Sequence, residues 1–438
     1  MGIRLYIYSV LLCSSLFASQ SIFNIHLPHQ IETVSDNNSN EEYHIAFLLP
    51  FCVDNNEMLF SGDLDSLMVD VDFLENYQFY KKTKISIDFF LGFLLSIDEF
   101  PGIDIKISLY DIQEGDMSKR LLRTILNEGD LDDVDLVVGP LFTDNVVFFS
   151  KRFRENIPII SPFSKKSHIT SNNNNIFQVP VDIMDQLSVF ANQLFTAHQY
   201  DNILLLKRDT ILDTLYRKID GLEEYELTID TIIPSDIAYG DIFLDVANNI
   251  LLDTLQSMCF EEIKVSASII DSIYHKLDTL GTPNTVIIAS DDNVFVTDLL
   301  SKLHASRNPG MVVYGLPELA DFHHVSIYDL MDMNVTFPHH KTFNYSEVDA
   351  FLINFHNQYN YLPNLKYASV GYEVGVYFLQ LLFNYGEILS YVDNYGTQMI
   401  LGNLYNFQKT KNGGYRNKVF SIMRYNDFGY ESLYINLE

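Results

Sequence analysis

Three short stretches hold side chains whose types and spacing could do chemistry, and each sits where an apolar run ends. Gly139-Pro140-Leu141-Phe142-Thr143 leads into a helical pattern, Ser161-Pro162-Phe163-Ser164 follows a second apolar run, and Gly315-Leu316-Pro317-Glu318 follows a third. Backbone N–H groups at a helix start, with the hydroxyls of Thr143, Ser161 and Ser164, suit a carboxylate. The carboxylate of Glu318 suits an ammonium, so the set as a whole suits a zwitterion such as an amino acid. Phe142 and Phe163 belong to the same loops as candidate ligand contacts. Asp291, read as the cap of a helix after another apolar run, is a further candidate. The same Gly, Pro, Ser and Thr residues are also what a chain needs to turn at a strand end.

Other chemistries lack their signatures. No strand is followed by the glycine spacing that admits a pyrophosphate, and no phosphate loop with its Lys occurs. No HExxH motif, clustered Cys/His spacing or G-x-S-x-G elbow is present. The expectation is therefore no catalytic residue, no cofactor and no metal site. The doublets His323-His324 and His339-His340 read as exposed loop histidines, because adjacent side chains point apart and chelate poorly. The pairs Asp132-Asp133 and Asp291-Asp292 sit where caps and solvated loops occur. Asn37, Asn334 and Asn344 begin glycosylation-type tripeptides in an Asn-rich chain.

Positioning those loops requires regular elements, and the pattern supplies them. His44 to Pro50, Ile103 to Tyr110, Val134 to Val138 and Ile157 to Ile160 are short apolar runs of the kind that form buried parallel strands. Between them lie helical patterns over 78–100, 116–127 and, with Thr143 as N-cap, a helix carrying Val146, Phe149 and Phe153 inward. Asp182 is expected to cap a helix with Leu187, Phe190 and Leu194 on one face. A second series follows: strand 203–206, a helix from Asp209, strand 227–232, an irregular acidic stretch, a helix near 263–280, and strand 285–289. A helix and strand 311–315 complete it. Strict alternation of this kind predicts parallel sheets with helices on both faces. Two long helices, over 345–359 and through Tyr367 to Tyr385, come next. The tail from Leu401 alternates like strands, with Asn412-Gly413-Gly414 as a hairpin turn.

The bulk properties bound the answer. A chain of 438 residues predicts two or three domains, and 47% apolar residues suffice to bury their cores. A net charge of −30 repels phosphate backbones, so no nucleic-acid partner is expected. Arg4, the apolar run Leu5 to Phe17, and Ala18-Ser19 read as a secretory signal peptide, too short for a membrane span. Cys13 follows Leu11-Leu12, a poor lipoprotein pattern. No other segment is apolar enough to span a membrane. Cys52 and Cys259 then remain, with two buried free thiols as the default and a single disulfide as the alternative.

The segments IAFLLPF (Ile45 to Phe51), DLVVGPLF (Asp135 to Phe142), IPIISPFS (Ile157 to Ser164) and NIFQVP (Asn175 to Pro180) follow in order along the chain. They are joined by VVYGLPELADF (Val312 to Phe322) and GYEVGVYFLQLLFNYG (Gly371 to Gly386). In order and spacing the chain resembles the type I periplasmic-binding proteins, the leucine-binding or amino-acid ABC transporter substrate-binding group. It looks closest to a LysM-associated subset of Bacteroidetes-type bacteria, although no LysM repeats precede Ile45. The resemblance implies an α/β clamshell of two Rossmann-like lobes with parallel sheets and a hinge of three crossovers. It implies an amino-acid backbone held by Thr143 and Ser161 to Ser164, and an ammonium held by Glu318. Pro140 and Phe142 are bulkier than the family pattern, and Leu319 stands where the subset tends to have Trp.

The expected organisation is a signal peptide at 1–19, a linker at 20–43, lobe 1 at 44–180 and 341–392, and lobe 2 at 181–340. The C-terminal strands, 393–438, are assigned to lobe 2. The expected function is an exported solute-binding protein of the periplasm or cell envelope, not an enzyme, closing on an amino acid or short peptide. Its partner would be an ABC permease. The alternative is an envelope module that regulates cell-wall (peptidoglycan) enzymes.

Overall fold

In the computed structural model the apolar runs become strands buried on both faces. The structure describes residues 22–26, 42–60, 79–154, 156–208, 214–218, 225–229, 234–253, 258–265, 270–306, 311–322, 324–341 and 345–436. The chain divides into two units, Met1–Asp182 with Phe343–Val419 and Ile183–Thr342 with Phe420–Glu438, and so passes between them three times.

The first passage lays down β1 (Ile22–His26), β2 (Glu42–Leu49), α1 (Val53–Phe60), α2 (Lys81–Ile97), β3 (Asp104–Asp111), α3 (Gly115–Glu128), β4 (Leu136–Val138), α4 (Thr143–Ser150), β5 (Ile159–Ser161) and β6 (Ile176–Gln178). The second gives α5 (Ile183–Ala197), β7 (Asn202–Arg208), β8 (Thr214–Lys218), β9 (Tyr225–Ile229), α6 (Pro234–Asp253), β10 (Cys259–Val265), β11 (Asn284–Ile288), α7 (Asn293–Ala305), β12 (Val312–Tyr314), α8 (Ile327–Asp332) and β13 (Thr336–His339). The return adds α9 (Tyr345–Tyr359), α10 (Leu365–Tyr385), β14 (Gln398–Ile400), β15 (Asn403–Tyr405), β16 (Phe407–Thr410) and β17 (Gly413–Asn417). The tail ends with β18 (Phe420–Asn426) and β19 (Gly429–Asn436).

The first unit's sheet has the order β1-β3-β2-β4-β5-β6-β17-β16 and is parallel from β3 through β17. Successive side chains of a strand point to opposite faces, and β2 shows why both faces need helices. Ile45, Phe47 and Leu49 pack with Phe89 and Phe93 of α2 and Phe378 of α10. Ala46 and Leu48 pack with Leu122 of α3 and Val146 and Phe149 of α4. The second unit's sheet runs β10-β7-β11-β12-β13-β18-β19, parallel up to β13 and then antiparallel. Phe190 and Leu194 of α5 and Phe243 and Ala247 of α6 cover Ile203, Leu205 and Ile287.

Several expectations change. The C-terminal strands divide: β16 and β17 extend the first sheet beside β6, whereas β18 and β19 extend the second beside β13. The stretch after Pro234, read as irregular, is the helix α6. Pro at its first position costs no hydrogen bond, and Tyr239, Phe243, Val246 and Ala247 form its buried stripe. The region near Ile263, read as helical, is strand β10, whose backbone pairs with β7 in parallel register. His339 is not a loop residue but a buried member of β13, its ring stacked on His340 with centroids 4.7 Å apart. Cys52 is buried as expected, but Cys259 is exposed, and both are free thiols. Within the stretch read as a linker, β1 pairs antiparallel with β3. The signal-peptide residues 1–19, the start of the helix expected from Asp209, and Asn37 and Asn344 lie outside the described residues. Among the described residues, no helix is long and apolar enough to cross a membrane.

Candidate functional site

The parallel strands of the first unit end together, so their following loops share one edge of the sheet. β4 leaves that edge through Gly139, whose φ of +97° places its α-carbon against β2. A Cβ there would lie 2.4 Å from the Leu48 carbonyl oxygen, so no side chain fits. The chain then enters α4 with Phe142, not Thr143, as the extended N-cap residue, and no side chain caps the helix. Thr143 is thereby released from capping. Its hydroxyl instead meets the Ser164 hydroxyl at 2.7 Å, joining the loops after β4 and β5.

Ser164 is fixed from behind, because Gln178 Nε2 donates to its carbonyl oxygen at 3.2 Å. Ser161 and Gln178 stand opposite each other in the β5–β6 register, both with zero exposure. Neither Ser161 Oγ nor Gln178 Oε1 has a hydrogen-bond partner among the described residues. Phe163 lies half-buried between Phe89 of α2 and Tyr367 of α10, edge-on to both at 5.4 and 5.6 Å.

Two of the charges at this edge hold each other. Lys82 at the start of α2 pairs with Glu114 in the loop after β3, and its Nζ lies 5.0 Å from the centroid of the Phe142 ring. Glu114 also accepts from Asn55 Nδ2 at 2.9 Å and from the Tyr80 hydroxyl at 3.0 Å. The Lys82 bond holds the Glu114 carboxyl below the usual range, and the same bond raises Lys82. Asp111 accepts from the backbone N–H groups of Cys52, Val53 and Gln113, yet burial still raises its pKa. Burial, with Asp111 and Glu114 nearby, pushes the Cys52 thiol up to about 12, so it stays protonated near neutrality and is a poor nucleophile. Beside the exposed Lys165 and Lys166, the edge offers an incoming molecule a hydroxyl pair, a helix start and two aromatic rings.

In the second unit, Asp292 and not Asp291 caps α7, accepting from Phe295 N at 2.7 Å and from Arg208 Nη1 at 3.3 Å. Asp291 accepts from the Tyr239 hydroxyl at 3.4 Å. Glu318 is partly buried in the single turn Pro317–Asp321 after β12. That turn is seated by Leu319, whose carbonyl accepts from the Tyr425 hydroxyl at 3.0 Å. Thus Thr143 and Ser164 come together with Phe163 beside them, Phe142 precedes them, and Ser161 lies beneath the surface. Asp291 and Glu318 follow the adjacent strands β11 and β12.

Sequence reasoning missed Lys82, Glu114, Tyr80, Asn55, Tyr367 and Gln178. Lys82 and Glu114 are 32 residues apart and meet only because α2 and the β3–α3 loop share an edge. Glu114 had one usable signal, its place just after a buried strand. Among the described residues, no group of three or more His, Cys, Asp or Glu could hold a metal ion.

No protein-family model matches the sequence, and none of the curated proteins matches it. Among solved structures, the chain is similar to a protein from Rhodospirillum rubrum assigned to branched-chain amino acid ABC transport. The identity is 12%, the match covers 90% of this chain and 100% of that one, and the TM-score is 0.54. The chain has the type I periplasmic-binding fold. In that fold the two α/β units are its two lobes, and the edge bearing Thr143 and Ser164 is the carboxyl edge of lobe 1. Lower-scoring similarities include a leucine-complexed ABC transporter substrate-binding protein from Desulfitobacterium hafniense (13% identity, 90% and 100% coverage, TM-score 0.46). Another is the C-domain of LpoA (YraM), a regulator of PBP1A from Haemophilus influenzae (12% identity, 89% and 100% coverage, TM-score 0.48).

Proposed function

We propose that this protein is an exported solute-binding protein that takes a small ligand, an amino acid or short peptide, at the carboxyl edge of lobe 1. The observation that carries this reading is the hydroxyl pair of Thr143 and Ser164, 2.7 Å apart and next to Phe142 and Phe163. Loops beyond strand carboxyl ends are where open parallel sheets take ligands. Two hydroxyls that satisfy each other can turn toward a carboxylate, and α4 offers its uncapped N–H groups beside them. The aromatic rings suit an apolar side chain, because Lys82 is already neutralised by Glu114. In lobe 2, Glu318 is by itself proposed as a side chain suited to an ammonium. The N-terminal charged and apolar pattern supports export.

A thermal-shift screen of the purified chain against amino acids and short peptides tests this directly. A true ligand at a hundred times its Kd adds about 2.7 kcal/mol of stability. Thr143→Ala and Ser164→Ala should each weaken that ligand about tenfold, the worth of one hydrogen bond in a desolvated site. Absence of any stabilisation across the screen would rule out the reading.

A further inference from the structure

Lobe 1 has a second concavity at the opposite end of its sheet. α2 runs back against the strands and finishes where β3 begins, and there a groove of about 920 Å³ opens between α9, α10 and the β14–β15 hairpin. One wall is a stripe on α9, with Glu347, Asn354 and Gln358 on one face at helical spacing, and the other is Tyr372, Val376 and Gln380 of α10. Leu95, Phe351 and Ile400, all buried, make an apolar floor.

The electrostatics of this groove have one sign. Asp98, Glu99 and Glu347 line it, and no Lys, Arg or His is among its described lining residues. Asp98 and Glu99 also stand at the C-terminal end of α2, where the last carbonyls already concentrate negative charge and no basic residue sits in the last turn. Carboxylates there oppose the helix dipole, so local stability does not explain their placement. The Tyr372 hydroxyl donates to Glu99 Oε1 at 2.8 Å, which orients that carboxylate without neutralising it.

We propose that this groove docks a short basic segment of a partner protein, with Lys or Arg side chains on the three carboxylates and an aliphatic side chain in the floor. Charge complementarity selects that occupant. An apolar ligand alone would strip water from three carboxylates without replacing it, and an acidic one would be repelled. Length favours a peptide over a small cation, because the α9 wall from Glu347 to Gln358 is about 16 Å long, room for about five extended residues. The net charge of −30 would steer such a segment toward the protein.

The test is fluorescence anisotropy with the purified chain and a labelled peptide Lys-Leu-Lys-Leu-Lys-Leu-Lys. The triple variant Asp98→Asn/Glu99→Gln/Glu347→Gln should weaken binding about tenfold or more. So should Ala350→Trp, which fills the groove without changing its charge. The control triple Asp116→Asn/Glu128→Gln/Asp130→Asn removes the same charge elsewhere on lobe 1 and should stay within about twofold of the parent. Thr143→Ala should leave peptide binding unchanged, which separates this groove from the carboxyl-edge site. Each variant is first shown by thermal melting to fold as the parent does. Equal weakening by the two triples, or no effect of Ala350→Trp, would overturn the proposal. So would competition by spermidine at the peptide's own Kd, or failure of the peptide to bind.

Discussion

Ser161 Oγ and Gln178 Oε1 face the interior of lobe 1 with no exposure and, among the described residues, no hydrogen-bond partner, although their residues sit opposite each other on β5 and β6. A buried hydroxyl without a partner contributes nothing to the unliganded fold that an alanine would lose. Ser161→Ala should therefore leave the stability of the free protein within about 0.5 kcal/mol of the parent, or raise it, as measured by urea denaturation. Glu373 is the opposite case. It is fully buried in α10 and accepts from Asn403 Nδ2 and the Tyr405 hydroxyl, each at 2.5 Å. Glu373→Ala strands both donors and leaves a void, and should cost about 2–4 kcal/mol in the same assay. The candidate site was legible at this scale in residue type but not in depth. Ser161 and Ser164 lie three positions apart, and only the arrival of β6 beside β5 buries the first and bonds the second. The Lys82–Glu114 pair was beyond reach for the same reason, since neither residue has its partner nearby in sequence.

α2 and α10 approach until their backbones touch, and glycine makes this possible. A Cβ on Gly371 would lie 2.0 Å from the Phe89 carbonyl oxygen, and one on Gly92 equally close to the Ala368 carbonyl oxygen. Alanine in place of glycine ordinarily favours a helix by about 1 kcal/mol. Here the sign should invert, with Gly371→Ala costing at least about 2 kcal/mol because backbone atoms cannot turn aside. A rise in melting temperature for this variant would show that the helices do not cross as described. Phe89 and Tyr367, which flank Phe163, lie on these two helices, so the same variant should also loosen the ligand site. The strands were legible as elements because runs such as Ile45 to Leu49 are apolar on both faces. α6 was hidden by its acidic residues and leading Pro, and β10 by the adjacent Glu261 and Glu262, one on each face of an edge strand, where tertiary pairing with β7 outweighs local pattern.

Across the whole molecule, the two lobes should respond to acid in opposite senses. In lobe 2, burial and the charge of Lys341, against a weaker pull from Asp321, lower the His339 pKa from 6.5 to about 4. The folded lobe resists a proton that the unfolded chain accepts, so the contribution of His339 is complete above pH 6.5 and is lost as pH falls toward 4. The full loss is on the order of 3 kcal/mol. In lobe 1, burial raises Asp88 and Asp111 above their usual values, so the folded state takes up protons before the unfolded chain does. Their contribution therefore grows as pH falls through their raised pKa values. Glu114 and Asp133, which are lowered, oppose this as pH falls below their ordinary values of 4.5 and 3.8, and both are partly solvent-screened. Hydrogen exchange at pH 7 and at about pH 4.5 should thus show protection falling in peptides from Ile183–Thr342 while those from Met1–Asp182 hold. His339→Asn keeps an acceptor for the Lys341 N–H, which now donates to His339 Nδ1 at 3.0 Å, and removes the titrating ring. That variant should abolish the acid-induced loss of protection in Ile183–Thr342. Equal loss of protection in both lobes of the parent, or a loss in lobe 2 that persists in His339→Asn, would contradict the assignment of acid sensitivity to this buried strand residue.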